Sequence, residues 1–177
     1  MVKKILALTF LSFVFATAHA ETLDQPFPQT PDRKEILATV DAFFLALAAG
    51  DADKIEELQS ETSVTVTARP GSDDPIRYGT GKDLVENMRG GTFPKVVEPY
   101  WSPTVLQRKT LAIVWAPYEV SVEGRLIHCG IDIFNLSKHG ANWKIDAVSW
   151  TAEPTACDEL WPEDKGTFRP TFPKGDQ

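Results

Sequence analysis

The sequence predicts an α+β domain in which helices come first and an antiparallel sheet follows. From about residue 30 to residue 91, apolar residues recur mostly at helical spacing, with one short strand-like stretch between helices. Beyond that point polar and apolar residues alternate almost throughout, and short turns separate the strand-like runs. Because helices and strands are segregated in the chain, we expect the strands to pair with one another in one antiparallel sheet.

Three helices are predicted in the first half of the chain. The first begins near Thr30, whose hydroxyl can cap it, and ends at Gly50. Its apolar stripe is wide enough to need a large surface to pack against, and consists of Ile36, Val40, Phe43, Phe44 and Leu47. Two shorter helices are expected over residues 51–58 and 81–88.

The strands are predicted from a period of two. A first strand is expected over residues 62–68, where Val64 and Val66 alternate with threonines. Four more are expected at about 95–106, 110–122, 126–137 and 142–152. Glu123-Gly124 is predicted to form a two-residue hairpin turn, because glycine readily takes the positive φ that such turns require.

The two ends of the chain differ from the domain between them. Residues 1–20 have a basic start, an apolar run and a small-residue ending, which predicts a secretory signal peptide. Its apolar run is shorter than the roughly 20 residues that span a bilayer, so we expect a periplasmic or secreted protein that is free of the membrane after cleavage. Residues 21–153 form the predicted domain. Residues 154–177 are a proline-rich tail, expected to lie on the surface or to be disordered.

Composition excludes several classes of function. The net charge is −7, and without a basic stripe the chain is not expected to bind nucleic acid. Three histidines are present, one of them within the predicted signal peptide, and neither HxH nor HExxH spacing occurs. No glycine-rich phosphate loop precedes a helix. We therefore expect neither a metal nor a cofactor.

Two cysteines, Cys129 and Cys157, are predicted to pair in an exported protein. On the chain-entropy description, closing this loop contributes about 3.5 kcal/mol to stability. Two separate thiols are the alternative.

A candidate pocket follows from the predicted hairpin. If Val122 faces Arg125, one face of the sheet is apolar and includes Tyr118, Ile131, Val148 and Trp150. The other face mixes polar and aromatic groups, as ligand pockets do. The predicted ligand-binding residues on it are Trp115, Glu119, His128, Asp132, Phe134 and Ser149.

Three of these residues are candidates for catalysis. His128 and Asp132 are separated by about 13 Å along a strand and cannot touch directly. Glu119 is predicted to lie opposite His128 at about 5 Å, either as a proton-transfer pair or as an ordinary charge pair. Asp132 is predicted to lie opposite Trp115 and to be partly covered. It would serve either as an acid or base, or as a hydrogen-bond acceptor that fixes the core.

Two stretches resemble the nuclear transport factor 2-like superfamily. They are FFLALAAGDADKIEEL in the helical half and VWAPYEVSVEGRLIHCGIDIFNLSKHGANWKIDAVSWT in the strands. Within the superfamily, the chain is most similar to the SnoaL-like or lumazine-binding branch, and the resemblance covers about residues 33–153. It implies a cone-shaped fold, in which a strongly curved antiparallel sheet wraps around the long first helix, with two shorter helices and a pocket at the open end.

The resemblance leaves three functions open, because the fold alone does not specify one. The first is an exported protein that binds a small molecule in the aromatic and polar pocket. The second is a cofactor-independent lyase or isomerase that uses Asp132 or His128 as acid or base. The third is an interaction domain that forms a homodimer through the apolar sheet face.

Overall fold

The computed structural model of the chain describes residues 30–91 and 93–173. The predicted signal peptide over residues 1–20 therefore lies outside the described residues. The helices are α1 (Arg33–Ala49), α2 (Ala52–Leu58), α3 (Gly81–Arg89) and α4 (Cys157–Leu160), with a 3-10 turn at Lys165–Thr167. The strands are β1 (Gln59–Ala68), β2 (Arg77–Thr80), β3 (Val96–Val97), β4 (Thr104–Arg108), β5 (Leu111–Val122), β6 (Arg125–His139) and β7 (Asn142–Thr151).

The strands form one curved, unclosed sheet that wraps around α1. Its order is β2-β1-β7-β6-β5-β3, and β4 also pairs with β5. The β1–β7 pair is parallel, and the other pairs are antiparallel. The predicted apolar stripe of α1 is buried against the concave side of the sheet. This confirms the α+β prediction and the cone shape that the resemblance implied.

The predicted strand over residues 95–106 is wrong in its middle. The structure has two short strands there, Val96–Val97 and Thr104–Arg108. Pro99 and Pro103 lie between them and cannot donate to a strand ladder. The segment instead buries Tyr100 and Trp101 almost completely, at 0% and 2% exposed.

The β5–β6 hairpin follows the predicted register only next to its turn. Glu123 and Gly124 both have positive φ, at 51° and 74°, which confirms the turn. Val122 lies opposite Arg125 and Ser121 opposite Leu126, as predicted. Ile127 is then an extra residue in β6, so that His128 lies opposite Val120 rather than Glu119.

This bulge makes the two predicted cross-strand pairs wrong. Glu119 lies opposite Cys129, Trp115 opposite Ile133, and Asp132 opposite Ala116. Side chains alternate between the two faces of a strand, so a shift of one residue exchanges the faces of one strand relative to its partner.

A second bulge lies between β6 and β7. Leu136 pairs with Ile145, whereas Asn135 pairs with Ala147, which leaves Asp146 as the extra residue. Beyond it, Val148 lies opposite Phe134 and Trp150 opposite Asp132, and all four side chains point to the concave side.

The C-terminal segment is held against the sheet through residue 173. Cys157 forms a disulfide with Cys129, which confirms the predicted pairing. Arg169 forms a backbone bridge with Tyr100, and Phe172 is buried in the core at 5% exposed. Of the two alternatives predicted for this tail, disorder is therefore wrong for the part that the structure describes.

Candidate ligand cavity

A cavity of about 410 Å³ lies between α1, α3 and the concave side of the sheet. Its walls are largely apolar and aromatic, and include Phe43, Phe44, Phe93, Val120, Val148 and Trp150. Small-molecule sites typically have about 300–1,000 Å³ and walls of this kind. The ionisable groups that line it are Asp83, Glu98, Tyr118, His128 and Asp132.

Asp132 is the most deeply buried of the three carboxyl groups. It lies in the middle of β6, between the small Ala116 and Trp150 on neighbouring strands, and is 2% exposed. Its Oδ2 atom has no hydrogen-bond partner among the described residues. Burial, together with the nearby carboxyl of Glu98, raises the pKa of Asp132 well above its ordinary value.

Glu98 is a second acidic group at the same cavity. It lies in the loop between β3 and β4, directly before Pro99, and is partly buried. Burial raises the pKa of Glu98 to about 8. The Glu98 carboxyl is therefore mostly protonated at neutral pH, and the Asp132 carboxyl keeps its proton well above the pH at which an exposed aspartate loses it.

His128 and Tyr118 form a hydrogen-bonded pair on the cavity wall. The phenol Oη of Tyr118 lies 2.8 Å from the carbonyl oxygen of Thr151 and 3.2 Å from His128 Nδ1. A carbonyl can only accept, so the phenol proton goes to Thr151, and we assign His128 Nδ1 as a donor to Tyr118 Oη. Burial lowers the pKa of His128, which keeps the imidazole neutral, so that Nε2 of the assigned tautomer can accept a proton.

Gly130 makes this arrangement possible. It lies opposite Tyr118 in the sheet, and a Cβ at this position would come within 1.9 Å of the Thr151 carbonyl oxygen. A side chain at residue 130 would therefore displace the carbonyl to which Tyr118 donates. The short approach requires glycine here.

The structure divides the six predicted ligand-binding residues. His128 and Asp132 line the cavity. Phe134 is on the same face but lies deeper, with its ring 5.7 Å from Phe43 and 5.5 Å from Phe44 between ring centres, as part of the core. The other three predicted residues, Trp115, Glu119 and Ser149, do not line the cavity.

These three residues lie on the convex side of the sheet. Trp115 is 49% exposed, and Glu119 accepts a hydrogen bond from Trp161 Nε1 at 2.6 Å. Ser149 lies opposite Ile133, on the face that the cavity does not touch. Placing them in the pocket is wrong because of the bulges at Ile127 and Asp146, and Glu119 consequently cannot pair with His128.

The apolar face that was predicted for self-association is also divided. Tyr118, Val148 and Trp150 line the cavity, whereas Ile131 belongs to the opposite face. The bulges that place the predicted pocket residues on the convex side also place Tyr118, Val148 and Trp150 on the concave side. Formation of a homodimer stays a prediction, and these four residues do not form one surface for it.

Two further site residues, Glu98 and Tyr118, were absent from the predicted pocket. Glu98 is an isolated carboxylate in the apolar run VVEPYW. The same signal, an acidic residue flanked by apolar ones, marked Asp132. Applied to residues 96–101 it indicates a buried carboxyl.

Residues 30–91 and 93–173 contain no group of three or more His, Cys, Asp or Glu side chains arranged to hold a metal ion. Within the same ranges, no helix is both long enough and apolar enough to cross a membrane.

The sequence matches no protein-family profile and no curated protein. Solved structures do resemble it. An NTF2-like protein from Cytophaga hutchinsonii is 17% identical, with a TM-score of 0.56, over 70% of this chain and 99% of that one. A candidate dehydratase of the NTF2-like family from Streptomyces avermitilis is 14% identical, with a TM-score of 0.55, over 70% and 98%.

A third structure comes from Xanthomonas campestris and is described as a candidate calcium/calmodulin dependent protein kinase II association domain. It is 19% identical, with a TM-score of 0.54, over 73% of this chain and 93% of that chain. These names span different functions, so the likeness concerns the fold, and the SnoaL-like branch stays a prediction. The chain has the nuclear transport factor 2-like fold.

Proposed function

We propose that this is an exported protein that binds a small, largely apolar molecule in the cavity on the concave side of the sheet. The observation that carries the proposal is Asp132 Oδ2, which is buried at the cavity wall without a hydrogen-bond partner. Buried polar atoms in folded proteins are nearly always paired. A ligand with a polar group on an apolar body would supply the missing partner.

Export is supported by two features. The first 20 residues have the pattern of a signal peptide, and Cys129 and Cys157 form a disulfide. Disulfides persist in the periplasm and outside the cell, and are rare in the cytosol.

Filling the cavity tests the binding function. The probe is prodan, a neutral dye whose naphthalene body carries a carbonyl group and whose fluorescence rises in apolar surroundings. We expect wild-type protein to bind prodan in a 1:1 complex. The variants Val148→Phe and Leu84→Phe, which add bulk to the cavity from β7 and from α3, should weaken binding at least tenfold.

The matched control is Ile133→Phe, which adds the same ring on the convex side of the sheet and should leave prodan binding unchanged. Binding that survives both cavity-filling variants would place the dye elsewhere and contradict the proposal. Failure of wild-type protein to bind any neutral aromatic probe would do the same.

An acid–base enzyme is the second candidate. The observation that favours it is the presence of both partners of a proton transfer in one cavity: a neutral His128 as base, and a protonated Asp132 or Glu98 as acid. The structurally similar protein named as a candidate dehydratase fits this chemistry.

The substitution Asp132→Asn distinguishes binding from catalysis. It keeps the shape and a hydrogen-bond donor but removes the acidic proton that a carboxyl can transfer. In an enzyme, we expect the folded variant to lose turnover of any substrate found by screening. Unchanged turnover would exclude Asp132 as the acid.

A further inference from the structure

Among the described residues that line the cavity, carboxyl groups are present and Lys and Arg are absent. The carboxyls are those of Asp83 at its exposed rim and of Glu98 and Asp132 further in. Asp83 is engaged in capping α3, where it accepts hydrogen bonds from the backbone and hydroxyl of Thr80. Glu98 and Asp132 are the two groups that face the interior without a cation.

Other ionisable groups near this site do not neutralise the pair. His128 is neutral, and Tyr118 keeps its proton because burial raises its pKa. Arg69, at the end of β1, and Glu153, after β7, have opposite charges and lie beyond the lining residues. Arg69 Nε is 3.8 Å from Asp74 Oδ2, so its nearest carboxylate lies outside the cavity.

The unpaired Oδ2 atom of Asp132 indicates which kind of ligand group fits this cavity. Two carboxyls in an apolar site are stable uncharged, or charged when a cation accompanies them. An ammonium group has three donors and no acceptor, so it can serve Asp132 Oδ2 and Glu98 together. The aromatic rings of Phe43, Phe44 and Trp150 in the same walls can hold an apolar body and attract a cation.

We propose that the cavity takes a protonated primary amine with an aromatic or branched apolar body, a ligand class that rests on the proposed binding function. The ammonium group lies against Asp132 and Glu98, and the apolar body fills the space between α1 and β7. The single positive charge of the ligand balances one carboxylate, so binding ionises one of the two carboxyls and lowers the pKa of both.

This ionisation couples binding to pH. The free protein holds protons on Asp132 and Glu98 at neutral pH, and the complex holds fewer, so binding releases protons to the buffer. Affinity for the amine should consequently rise as the pH increases from 6 to 8, where a primary alkyl amine is still protonated.

Isothermal titration calorimetry with three ligands of similar shape tests the proposal. They are 2-phenylethylammonium, the neutral 2-phenylethanol and the anionic 3-phenylpropanoate. At pH 7 we expect the amine to bind at least tenfold more tightly than the alcohol, and the carboxylate to bind most weakly. The apparent enthalpy should differ between phosphate and Tris buffers, because released protons are taken up by the buffer.

Two variants locate the effect. Asp132→Asn and Glu98→Gln should each weaken amine binding at least tenfold. The matched control is Glu61→Gln, which removes an exposed carboxylate on β1 away from the cavity and should leave both amine and prodan binding unchanged. Far-ultraviolet circular dichroism confirms that each variant is folded.

The outcomes separate this inference from the proposed function. If prodan binds in the cavity but the alcohol or the carboxylate binds as tightly as the amine, the amine proposal is overturned and small-molecule binding stands. If Asp132→Asn and Glu98→Gln both leave amine affinity unchanged, the ammonium site is also overturned. If neither prodan nor any of the three ligands binds, both proposals fail.

Discussion

The free energy of unfolding of the ligand-free protein is expected to fall as the pH rises from 6.5 to 8. Asp132 and Glu98 have raised pKa values in the folded state, and that of Glu98 is about 8. Over this range the folded protein holds protons that the unfolded chain, with carboxyl pKa values near 4, has already lost. The stabilisation is therefore complete below about pH 4 and is lost as the pH approaches the folded pKa values.

The size of this effect has an upper bound. Each group changes the free energy of unfolding by at most about 1.4 kcal/mol per pH unit. The contribution of Glu98 is smaller, because this residue is only partly buried and solvent screens its charge. The lowered pKa of His128 acts in the opposite direction, but only below the ordinary histidine pKa of about 6.5. This is why the range from pH 6.5 to 8 is the informative one.

Urea unfolding at several pH values measures this slope. The double variant Asp132→Asn/Glu98→Gln should show a nearly flat profile from pH 6.5 to 8 and should exceed wild type in stability at pH 8. If wild type and the double variant share the same slope, the carboxyls are not the groups that hold the protons.

The substitution Phe134→Ala is expected to lower the free energy of unfolding by about 3–5 kcal/mol. Phe134 is 1% exposed, and its ring packs edge-on against Phe43 and Phe44 of α1. It therefore joins the central strand β6 to the helix that the sheet surrounds. Urea unfolding at pH 6 measures the loss.

The neighbouring substitution Ile133→Ala is the control, because its partly exposed side chain points to the convex side and its removal should cost about 1 kcal/mol. A loss of under 1 kcal/mol for Phe134→Ala, combined with abolished prodan binding, would contradict the core assignment. Phe134 would then be a wall of the ligand site, as the sequence pattern predicted.

Local patterns were sufficient for most helices and strands of this fold, but not for β2, α4 or the break between β3 and β4. The stripe from Ile36 to Leu47 predicted α1, and Gly50 ends it with a left-handed φ of 68°. The Glu123-Gly124 turn was predicted because its conformation depends on the two turn residues. The disulfide could be inferred because only two cysteines are present.

The faces of the strands could not be derived in the same way. Leu126 and Ile127 are both apolar, so the sequence does not show which of them is the extra residue of the bulge. The convex side also carries apolar side chains, with Ile113 and Trp115 40% and 49% exposed. Where both faces are apolar, alternation does not distinguish the inside from the outside.

Asp132 was predicted as a pocket residue from a register that the structure corrects. The prediction placed it opposite Trp115, and the structure places it opposite Ala116, yet it does line the cavity. The bulge exchanged the partner strand's faces, while Asp132 kept its alternation with His128 and Phe134 within β6. The position of the Glu98 side chain depends on how the loop before β4 packs. A periodic pattern in the sequence does not describe the packing of a loop.

The protonation of Asp132 and Glu98 is measured most directly by carbon-13 NMR titration of their side-chain carboxyl groups between pH 4 and 9. The variants Asp132→Asn and Glu98→Gln assign the two signals. We predict a midpoint near 8 for Glu98 and a midpoint well above 4 for Asp132, with both shifting downward when 2-phenylethylammonium is bound. Midpoints near 4 for both groups in the ligand-free protein would contradict the claim that the two buried carboxyls are uncharged before a ligand binds.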